Sequence, residues 1–390
     1  MNIFNESNTI QAMLLDASCL NGWMMMDPEF MPKDGNLGLP LQAKWLKDSL
    51  LLLNKDKGLT SDQADEIVRQ IQSVFMGLVN PSDLVETNKR LRERIFTYNS
   101  FPCGPDNLPT AIDFFDMANP KNNLCVVVRE WSYQARGQTN AGAKRFDLAF
   151  FINGFPMVFC ETKTPVRPAI CWADAAGDIL DYEKSVPHAF ISNVFNIATE
   201  GKKFRYGGLS APLDKWGPWF VDCIRREGTL DDVKHSFISM LTPEVVLDIY
   251  RNFTLYRPNK RNTGLIKIVC RYQQYEGANA IVKRCVEGKV RKGLIWHFQG
   301  SGKSYLMLLA APVTFSISAP RKSAVICSSR SIRSSTITIV GALSAASCRS
   351  FCAANSMRYD LPEPWKCQMS PFLTLPSTQR FTIALAPSYC

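Results

Sequence analysis

Residues 145–165, RFDLAFFINGFPMVFCETKTP, are the stretch that decides the fold. Two apolar runs, Arg145–Ile152 and Pro156–Lys163, lie on either side of Asn153-Gly154. Asn-Gly is among the strongest hairpin signals, because both central positions of the tightest hairpin turn require a positive φ. The stretch therefore predicts two largely buried antiparallel strands joined by a turn at Asn153-Gly154.

Ionisable side chains stand near the ends of these two runs. Asp147 lies near the start of the first run, and Glu161 and Lys163 lie two residues apart at the end of the second. Alternate residues of a strand share a face, and folding the hairpin brings Asp147 close to Glu161. Two carboxylates held together repel each other, and Mg²⁺ relieves that repulsion and prefers oxygen ligands. The spacing therefore indicates a Mg²⁺ site formed by Asp147 and Glu161.

Such a trio has the chemistry for cutting a phosphate ester. The metal would polarise a phosphodiester and help to generate hydroxide from water. Lys163 would orient that water or stabilise charge on the transition state. The spacing alone fits equally well with a surface ion pair between Glu161 and Lys163 and an Asp147 that caps a strand. Glu-x-Lys is a weak motif, since this chain also has it beside two glycine turns.

The residues around the hairpin predict helices packed on a mixed sheet, an α/β fold. Helices are expected at Asn5–Leu15, Leu41–Leu53, Asp62–Phe75, from Pro81 onward, and at Trp172–Lys184, Thr229–Phe237 and Thr242–Phe253. Further strands are expected at Leu124–Arg129, His188–Thr199 and Lys203–Tyr206. The polar, basic segment Tyr256–Thr263 indicates a domain boundary, which we place after residue 255.

The composition excludes several classes of protein. Of the 390 residues, 46% are hydrophobic and 21% are charged, which excludes wholesale disorder and allows two or three domains. No apolar run is long enough to span a membrane and no secretory signal follows Met1, so we expect a cytoplasmic protein with no membrane partner. The 13 cysteines include no Cys-x-x-Cys pair, which favours reduced thiols. The net charge of +10 suits a polyanionic partner, although much of it lies after residue 311.

The hairpin and the sequence after it resemble the restriction (R) subunits of type I restriction–modification enzymes. The likeness covers roughly residues 1–311 and includes WADAAGDILDYEKSVPHAFISNVFNIATEGKKFRYG at 172–207. The resemblance implies a PD-(D/E)xK, restriction-endonuclease-like core, with Asp147, Glu161 and Lys163 at its catalytic positions.

Many members of this family carry a Gln-x-x-x-Tyr motif on the next helix, which helps to organise the nuclease site. Tyr182 fits the tyrosine of that motif, but Asp178 stands at the glutamine position. The resemblance therefore adds Tyr182 and Asp178 to the catalytic candidates. An acid at this position either adds to the metal's ligands or weakens cleavage, and the sequence leaves both readings open.

A second motif, GLIWHFQGSGKSYLMLLAA, has the order strand, glycine loop, helix. In such a loop Gly300, Ser301 and Gly302 let backbone N–H groups surround a phosphate. Lys303 would reach the β- and γ-phosphates, and the Ser304 hydroxyl would hold Mg²⁺. The motif is therefore a candidate ATP site.

This loop resembles the first helicase motif of the same R subunits, although the strict pattern has glycine where this chain has His297. Upstream, CRYQQYEGANAIVKR resembles their adenine-recognising glutamine motif, with Gln274 (or Gln273) as the candidate. The resemblance implies that residues 256–311 begin a RecA-like motor domain that binds ATP. Because no acidic residue after an apolar strand follows Ser304, we expect weak or no ATP hydrolysis.

The last segment, residues 312–390, differs in composition from the rest. It holds 15 serines, five cysteines and only two acidic residues. We expect it to be disordered or translated out of the original reading frame, with the resemblance ending at Ala311. The predicted organisation is a nuclease domain with an N-terminal helical part (1–255), a truncated motor domain (256–311) and an atypical tail (312–390).

The resemblance implies an R subunit that joins modification (M) and specificity (S) subunits on double-stranded DNA. It implies Mg²⁺-dependent cleavage of DNA and ATP-driven translocation, with the choice of target site left to the S subunit. Two alternatives stay open. One is a catalytically impaired DNA-binding or subunit-docking fragment, and the other is an ATP-binding helicase fragment whose nuclease fold is structural.

Overall fold

The computed structural model describes residues 10–32, 38–134, 142–164, 169–220, 226–287, 292–296, 302–318, 335–340 and 380–386. The chain divides into two compact units, Met1–Val269 and Cys270–Cys390. The sequence favoured a boundary after residue 255, but the division falls at Val269. The reason is that residues 254–269 form a hairpin that belongs to the first unit. In the described parts of the chain, no helix combines the length and apolarity needed to cross a membrane.

The elements of the described residues agree with most of the predicted ones. The α-helices are α1 (Ala12–Leu20), α2 (Ala43–Leu53), α3 (Ser61–Met76), α4 (Leu84–Phe96), α5 (Trp172–Ser185), α6 (Leu230–Met240), α7 (Pro243–Asn252), α8 (Tyr272–Glu287) and α9 (Lys303–Ser318). The strands are β1 (Met24–Met26), β2 (Ser100–Cys103), β3 (Leu108–Ala111), β4 (Cys125–Tyr133), β5 (Lys144–Ile152), β6 (Phe155–Thr162), β7 (Phe195–Thr199), β8 (Phe204–Gly207), β9 (Thr254–Pro258), β10 (Leu265–Val269), β11 (Lys292–Trp296), β12 (Ser335–Val340) and β13 (Arg380–Ala386).

The first unit is built around a six-stranded mixed sheet in the order β1-β4-β5-β6-β7-β8. β1 pairs with β4 in parallel, and β6 pairs with β7 in parallel. The other neighbouring strands are antiparallel. Helix α5 makes the crossover that a parallel β6–β7 pair requires, and it packs on both strands. The predicted α/β class, a mixed sheet flanked by helices, is confirmed.

The turn between β5 and β6 has the conformation that its sequence demands. Asn153 and Gly154 have φ values of 48° and 88°. Asn153 is buried, and its side chain donates to Phe114 O at 2.9 Å and accepts from Leu124 N at 2.7 Å. A Cβ on Gly154 would lie 2.4 Å from Gln42 O, so only glycine fits there. The predicted hairpin is confirmed.

Aromatic side chains fix both faces of the central hairpin. On one face Phe146 stacks on Phe159 with ring centroids 4.3 Å apart, and Phe190 lies against both rings. On the other face Trp23 packs edge-on against Phe150 at 4.9 Å. Because both faces are covered, β5 and β6 are almost continuously apolar.

The predicted strand His188–Thr199 is wrong over its first half. Pro187–Phe190 is a 3-10 helix, and β7 begins only at Phe195. Proline favours the first helical position because its φ is already helical. Asn193 then donates its side-chain amide to Phe195 O at 3.1 Å, which supports a bend before the strand.

Other elements were not predicted. The short hairpins β2–β3 and β9–β10 and the edge strand β1 lack a clear alternating apolar pattern. In β10 the buried position 267 is a lysine, which hides that alternation. The predicted helix Asn5–Leu15 begins outside the described residues, and α1 itself starts at Ala12.

The second unit contains α8, α9 and a three-stranded sheet in the order β11-β13-β12. Helices α8 and α9 pack on each other. β12 and β13 lie in the tail, outside the segments for which the sequence predicts a strand or helix. The out-of-frame origin of the tail stays a prediction.

Candidate active site

Asp147 and Glu161 lie next to each other at one end of the central hairpin. Leu148 of β5 pairs with Cys160 of β6 in the antiparallel hairpin. The residue before Leu148, Asp147, therefore adjoins the residue after Cys160, Glu161. Both acidic residues are buried, with 7% and 3% of their surfaces exposed. The Asp147 N–H donates to Glu161 Oε1 at 3.4 Å. The hairpin thus brings together two carboxylates that are 14 residues apart in the sequence.

Thr162 holds the carboxylate of Asp147 in place. Its backbone N–H and its hydroxyl each donate to Asp147 Oδ2 at 2.8 Å. Both of these hydrogen bonds fall on the same carboxylate oxygen. The role of Thr162 was not predicted from the sequence, because it depends on the strand register; a hydroxyl between Glu161 and Lys163 is the only signal for it.

Glu161 is in an environment that disfavours its ionised form. Burial raises the pKa of Glu161 well above its ordinary value, and the nearby Asp147 charge raises it further. The Asp147 N–H and the Lys163 ammonium act against this increase, whereas Asp178 adds to it. A divalent cation beside the two carboxylates would relieve their repulsion. Glu161 is therefore suited to hold either a proton or a metal ion.

Lys163 lies just beyond β6 and forms an ion pair with Asp178 of α5. Its backbone N–H donates to Thr199 O at 2.8 Å, which ties the end of β6 to the end of β7. The Lys163 side chain is 22% exposed and that of Asp178 is 43% exposed. Asp178 is thus a direct partner of the candidate catalytic lysine.

Tyr182 lies one helical turn after Asp178, on the same side of α5. Its ring packs edge-on against Phe146 at 5.2 Å, and the Lys144 ammonium lies 5.3 Å from its centroid. Burial raises the pKa of the Tyr182 hydroxyl, and the carboxylates of Glu161, Asp178 and Asp147 raise it further. The hydroxyl therefore stays protonated and is a hydrogen-bond donor close to the acidic groups.

The donor set fits a hard divalent cation. Mg²⁺ commonly binds through one or two carboxylates and completes its shell with water and substrate phosphate oxygens. Asp147 and Glu161 provide two such carboxylates. Across the described ranges, no cluster of three or more His, Cys, Asp or Glu side chains is arranged as a metal site. Water and substrate would therefore supply the remaining ligands.

The predicted phosphate loop is described only in part. Gly300 and Ser301 lie outside the described residues. β11 ends at Trp296 and α9 begins at Lys303, which is the predicted order of strand, loop and helix. Lys303 and Ser304 are the first two residues of α9. Both therefore lie at the helix N-terminus, where a phosphate is favoured.

Gln274 touches this loop. It is buried, and its Nε2 donates to Gly302 O at 3.2 Å. Gly302 has a φ of 82°, and a Cβ there would lie 2.4 Å from Gln274 Nε2. The structure thus brings together the candidate adenine-recognising glutamine and the last glycine of the loop.

The chain matches two family models. Residues 3–215 match the model described as type I restriction enzyme R protein N terminus, which is more than half of the chain. Residues 273–331 match the model described as SWI2/SNF2 ATPase. This second match continues beyond Ala311, where we expected the resemblance to end, so that expectation is wrong.

Similar proteins are endonuclease subunits. The type I restriction enzyme HindI endonuclease subunit of Haemophilus influenzae is 33% identical over 294 residues, covering 71% of this chain and 26% of the relative. The putative type I restriction enzyme MjaVIIP endonuclease subunit of Methanocaldococcus jannaschii is 30% identical over 194 residues, covering 46% of this chain and 17% of the relative. The chain thus spans about a quarter or less of these relatives.

Proposed function

The chain belongs to the family of type I restriction enzyme R proteins, and from this premise we propose that its first unit hydrolyses DNA phosphodiester bonds with Mg²⁺. The core would be of the PD-(D/E)xK type, with Asp147, Glu161 and Lys163 as its catalytic residues. One observation carries the proposal: the buried Asp147 and Glu161 adjoin at the ends of two paired strands.

Asp147 and Glu161 would hold the metal ion. Bound Mg²⁺ would polarise the phosphodiester and make a bound water more acidic. Glu161 would give up its proton as the cation arrives, because ligands must be deprotonated to bind. Thr162 would keep Asp147 Oδ2 in a fixed position through its two hydrogen bonds.

Lys163 and Tyr182 would act on the substrate itself. The Lys163 ammonium would donate to the attacking water or to a non-bridging phosphate oxygen. The water oxygen would form a bond to phosphorus and lose a proton to solvent, while the bond from phosphorus to the leaving sugar oxygen breaks and a solvent proton completes the leaving hydroxyl. The Tyr182 hydroxyl would donate a further hydrogen bond to the phosphate, since it stays protonated.

The proposal extends to the assembly in which the chain would work. Double-stranded DNA would be the substrate, and M and S subunits would be the protein partners. The S subunit would choose the target site. The names of the relatives, which are endonuclease subunits of type I restriction enzymes, support this proposal.

Nicking of supercoiled plasmid by the full chain in Mg²⁺ tests the proposal. We expect Glu161→Ala to lower the nicking rate about 100-fold or more, because it removes a metal ligand. Asp181→Ala is the matched control, since Asp181 is an exposed acid of α5 that pairs with Lys144 instead. Equal nicking by the wild type and Glu161→Ala would exclude nuclease activity at this site.

A second proposed activity is ATP binding by the second unit, as the beginning of a RecA-like motor. The contact between Gln274 and Gly302 and the match to the ATPase model favour it. We expect Lys303→Ala to weaken binding of a fluorescent ATP analogue and the full chain to hydrolyse ATP slowly or not at all. Undiminished binding of the analogue by Lys303→Ala would show that the phosphate loop does not bind the nucleotide. Rapid ATP turnover by the full chain would contradict the expectation of slow or no hydrolysis.

A further inference from the structure

We propose that Asp178 is a positioning residue that sets the cation dependence of the nuclease. Its carboxylate would tighten binding of the divalent cation and, through the ion pair with Lys163, lower the rate of cleavage once the cation is bound. This inference rests on the proposed nuclease function, and it assigns Asp178 an effect on cation binding and an opposite effect on the rate of cleavage.

The geometry ties Asp178 to the reacting groups through one contact. Its Oδ2 accepts a hydrogen bond from Lys163 Nζ. Both partners are held by the fold, because α5 packs on β6 and β7 and the Lys163 backbone is bonded to Thr199 O. Asp178 therefore places a negative charge beside the lysine that follows the metal ligand Glu161 by two residues.

The charge count explains the effect on cation binding. When all groups are ionised, Asp147, Glu161 and Asp178 carry three negative charges and Lys163 carries one positive charge, a sum of −2. A divalent cation neutralises that sum. The neighbouring pairs, Lys144 with Asp181 and Arg145 with Glu130, add no net charge. With a neutral amide in place of Asp178, the net charge of the site is −1, and the site attracts the cation less strongly.

The same ion pair explains the effect on rate. An ammonium that donates to a phosphate oxygen stabilises the charge of the transition state in proportion to its own uncompensated charge. Asp178 compensates the charge of Lys163 and directs one of its hydrogen bonds away from the substrate. A neutral amide at this position would remove this compensation by Asp178.

Titration calorimetry with Mg²⁺ alone, without DNA, tests the first part on the full chain. We expect Asp178→Asn to weaken Mg²⁺ binding about tenfold, because it removes one negative charge near the ion. Asp181→Asn removes an equally negative side chain from the same helix and should change binding less than about twofold, as for an exposed pair. Asp178→Glu keeps the charge and should bind Mg²⁺ like the wild type.

Plasmid nicking at saturating Mg²⁺ tests the second part. We expect the cleavage rate of Asp178→Asn to rise about threefold to tenfold, a fraction of the effect of removing a whole transition-state donor. Circular dichroism and thermal unfolding check that each variant folds. Because Asp178 is partly exposed and asparagine has its shape, the fold should be unaffected. The Glu variant provides a second comparison if it is affected.

The outcomes separate this inference from the proposed function. Mg²⁺ binding that is equal in Asp178→Asn, Asp181→Asn and the wild type would overturn the inference. A lower nicking rate in Asp178→Asn at saturating Mg²⁺ would overturn it too, because Asp178 would then assist the reaction. Weaker Mg²⁺ binding in Asp178→Asn with no nicking by any variant would overturn the nuclease function and the effect on rate, and would leave the effect of Asp178 on cation binding. No Mg²⁺ binding by the wild type would contradict both.

Discussion

At the scale of single residues, the ionised form of Glu161 destabilises the folded chain. Its carboxyl is buried beside Asp147, and its compensation within the chain comes from the Asp147 N–H and the Lys163 charge. A buried pair of acids that serves stability alone would be easy to replace with apolar residues. The pair is better explained as a site in which a cation supplies the missing charge.

The raised pKa of Glu161 predicts how the free energy of unfolding depends on pH. The folded chain holds the Glu161 proton more tightly than the unfolded chain, whose carboxyl titrates near 4.5. The stability contributed by this group is therefore present below pH 4.5 and lost as pH rises through the folded pKa. In EDTA, we expect Glu161→Gln to raise the free energy of unfolding by about 1–3 kcal/mol at pH 8, a typical size for removing a buried charge.

Urea unfolding at pH 8 and pH 4.5 measures this difference. The gain should be largely lost at pH 4.5, where folded Glu161 is neutral and the unfolded carboxyl is half protonated. A Glu161→Gln variant that is equally or less stable than the wild type at pH 8 would show that Glu161 is not strained by its surroundings.

At the scale of elements, the turn of the β5–β6 hairpin depends on a close contact between the backbones of Gly154 and Gln42. The carbonyl of Gly154 accepts from Gln42 N at 2.9 Å, and there is no room for a Cβ at Gly154. This contact joins the turn to the start of α2. It holds the end of the hairpin opposite to the one that carries the acids.

Substitution of two glycines tests this dependence. Gly154→Ala should lower the free energy of unfolding by about 3 kcal/mol or more, because its φ is 88° and the added carbon meets Gln42 O. Gly177→Ala is the control, since Gly177 lies in α5 and an added Cβ there meets nothing within 4 Å. It should stabilise the protein by about 0.5–1 kcal/mol. Thermal unfolding that shows the same change for both variants would contradict this account.

Helix α5 is anchored to the sheet through a second buried acid, Glu183. Its Oε2 accepts from Ser210 N at 2.9 Å and its Oε1 accepts from Asn196 Nδ2 at 3.1 Å. Burial raises the pKa of Glu183 to about 7, although these hydrogen bonds and the Lys267 charge oppose the increase. The anchor therefore responds to pH near neutrality.

The raised pKa of Glu183 predicts that the free energy of unfolding depends on pH near neutrality. Because the folded pKa of Glu183 lies above 4.5, its contribution to stability is lost as pH rises from 4.5 through 7. The free energy of unfolding of the wild type minus that of Glu183→Gln should fall by about 3 kcal/mol between pH 4.5 and pH 8.5. Urea unfolding at several pH values measures it. A difference that does not change with pH would show that Glu183 keeps its ordinary pKa.

Local signals account for the parts of this fold that were predictable. Asn153-Gly154 and its apolar flanks predicted the hairpin, and the register of a hairpin then places Asp147 beside Glu161. The bend before β7 was missed, because Pro187 and Asn193 act through local backbone bonds that the apolar pattern does not show. The hydrogen bonds from Thr162 to Asp147 and the ion pair between Lys163 and Asp178 depend on strand register and on packing of α5, which no local pattern reveals.

At the scale of the whole molecule, each candidate site is built from residues of one unit. The acids and Lys163 belong to the first unit, and Gln274, Gly302 and Lys303 belong to the second. We therefore expect Lys303→Ala to leave plasmid nicking without ATP unchanged within about twofold, and Glu161→Ala to leave nucleotide binding unchanged to the same degree. Parallel nicking and nucleotide titrations of both variants measure this. Loss of both activities in either variant would show that the two sites depend on each other.

The central claim is that Asp147 and Glu161 share one divalent cation. Crystals of the chain grown with Mn²⁺, in place of Mg²⁺, test it through the anomalous scattering of manganese. The account predicts an anomalous peak within bonding distance of both carboxylates, and its loss in Glu161→Gln. A peak elsewhere, or no peak between the two carboxylates at saturating Mn²⁺, would contradict it.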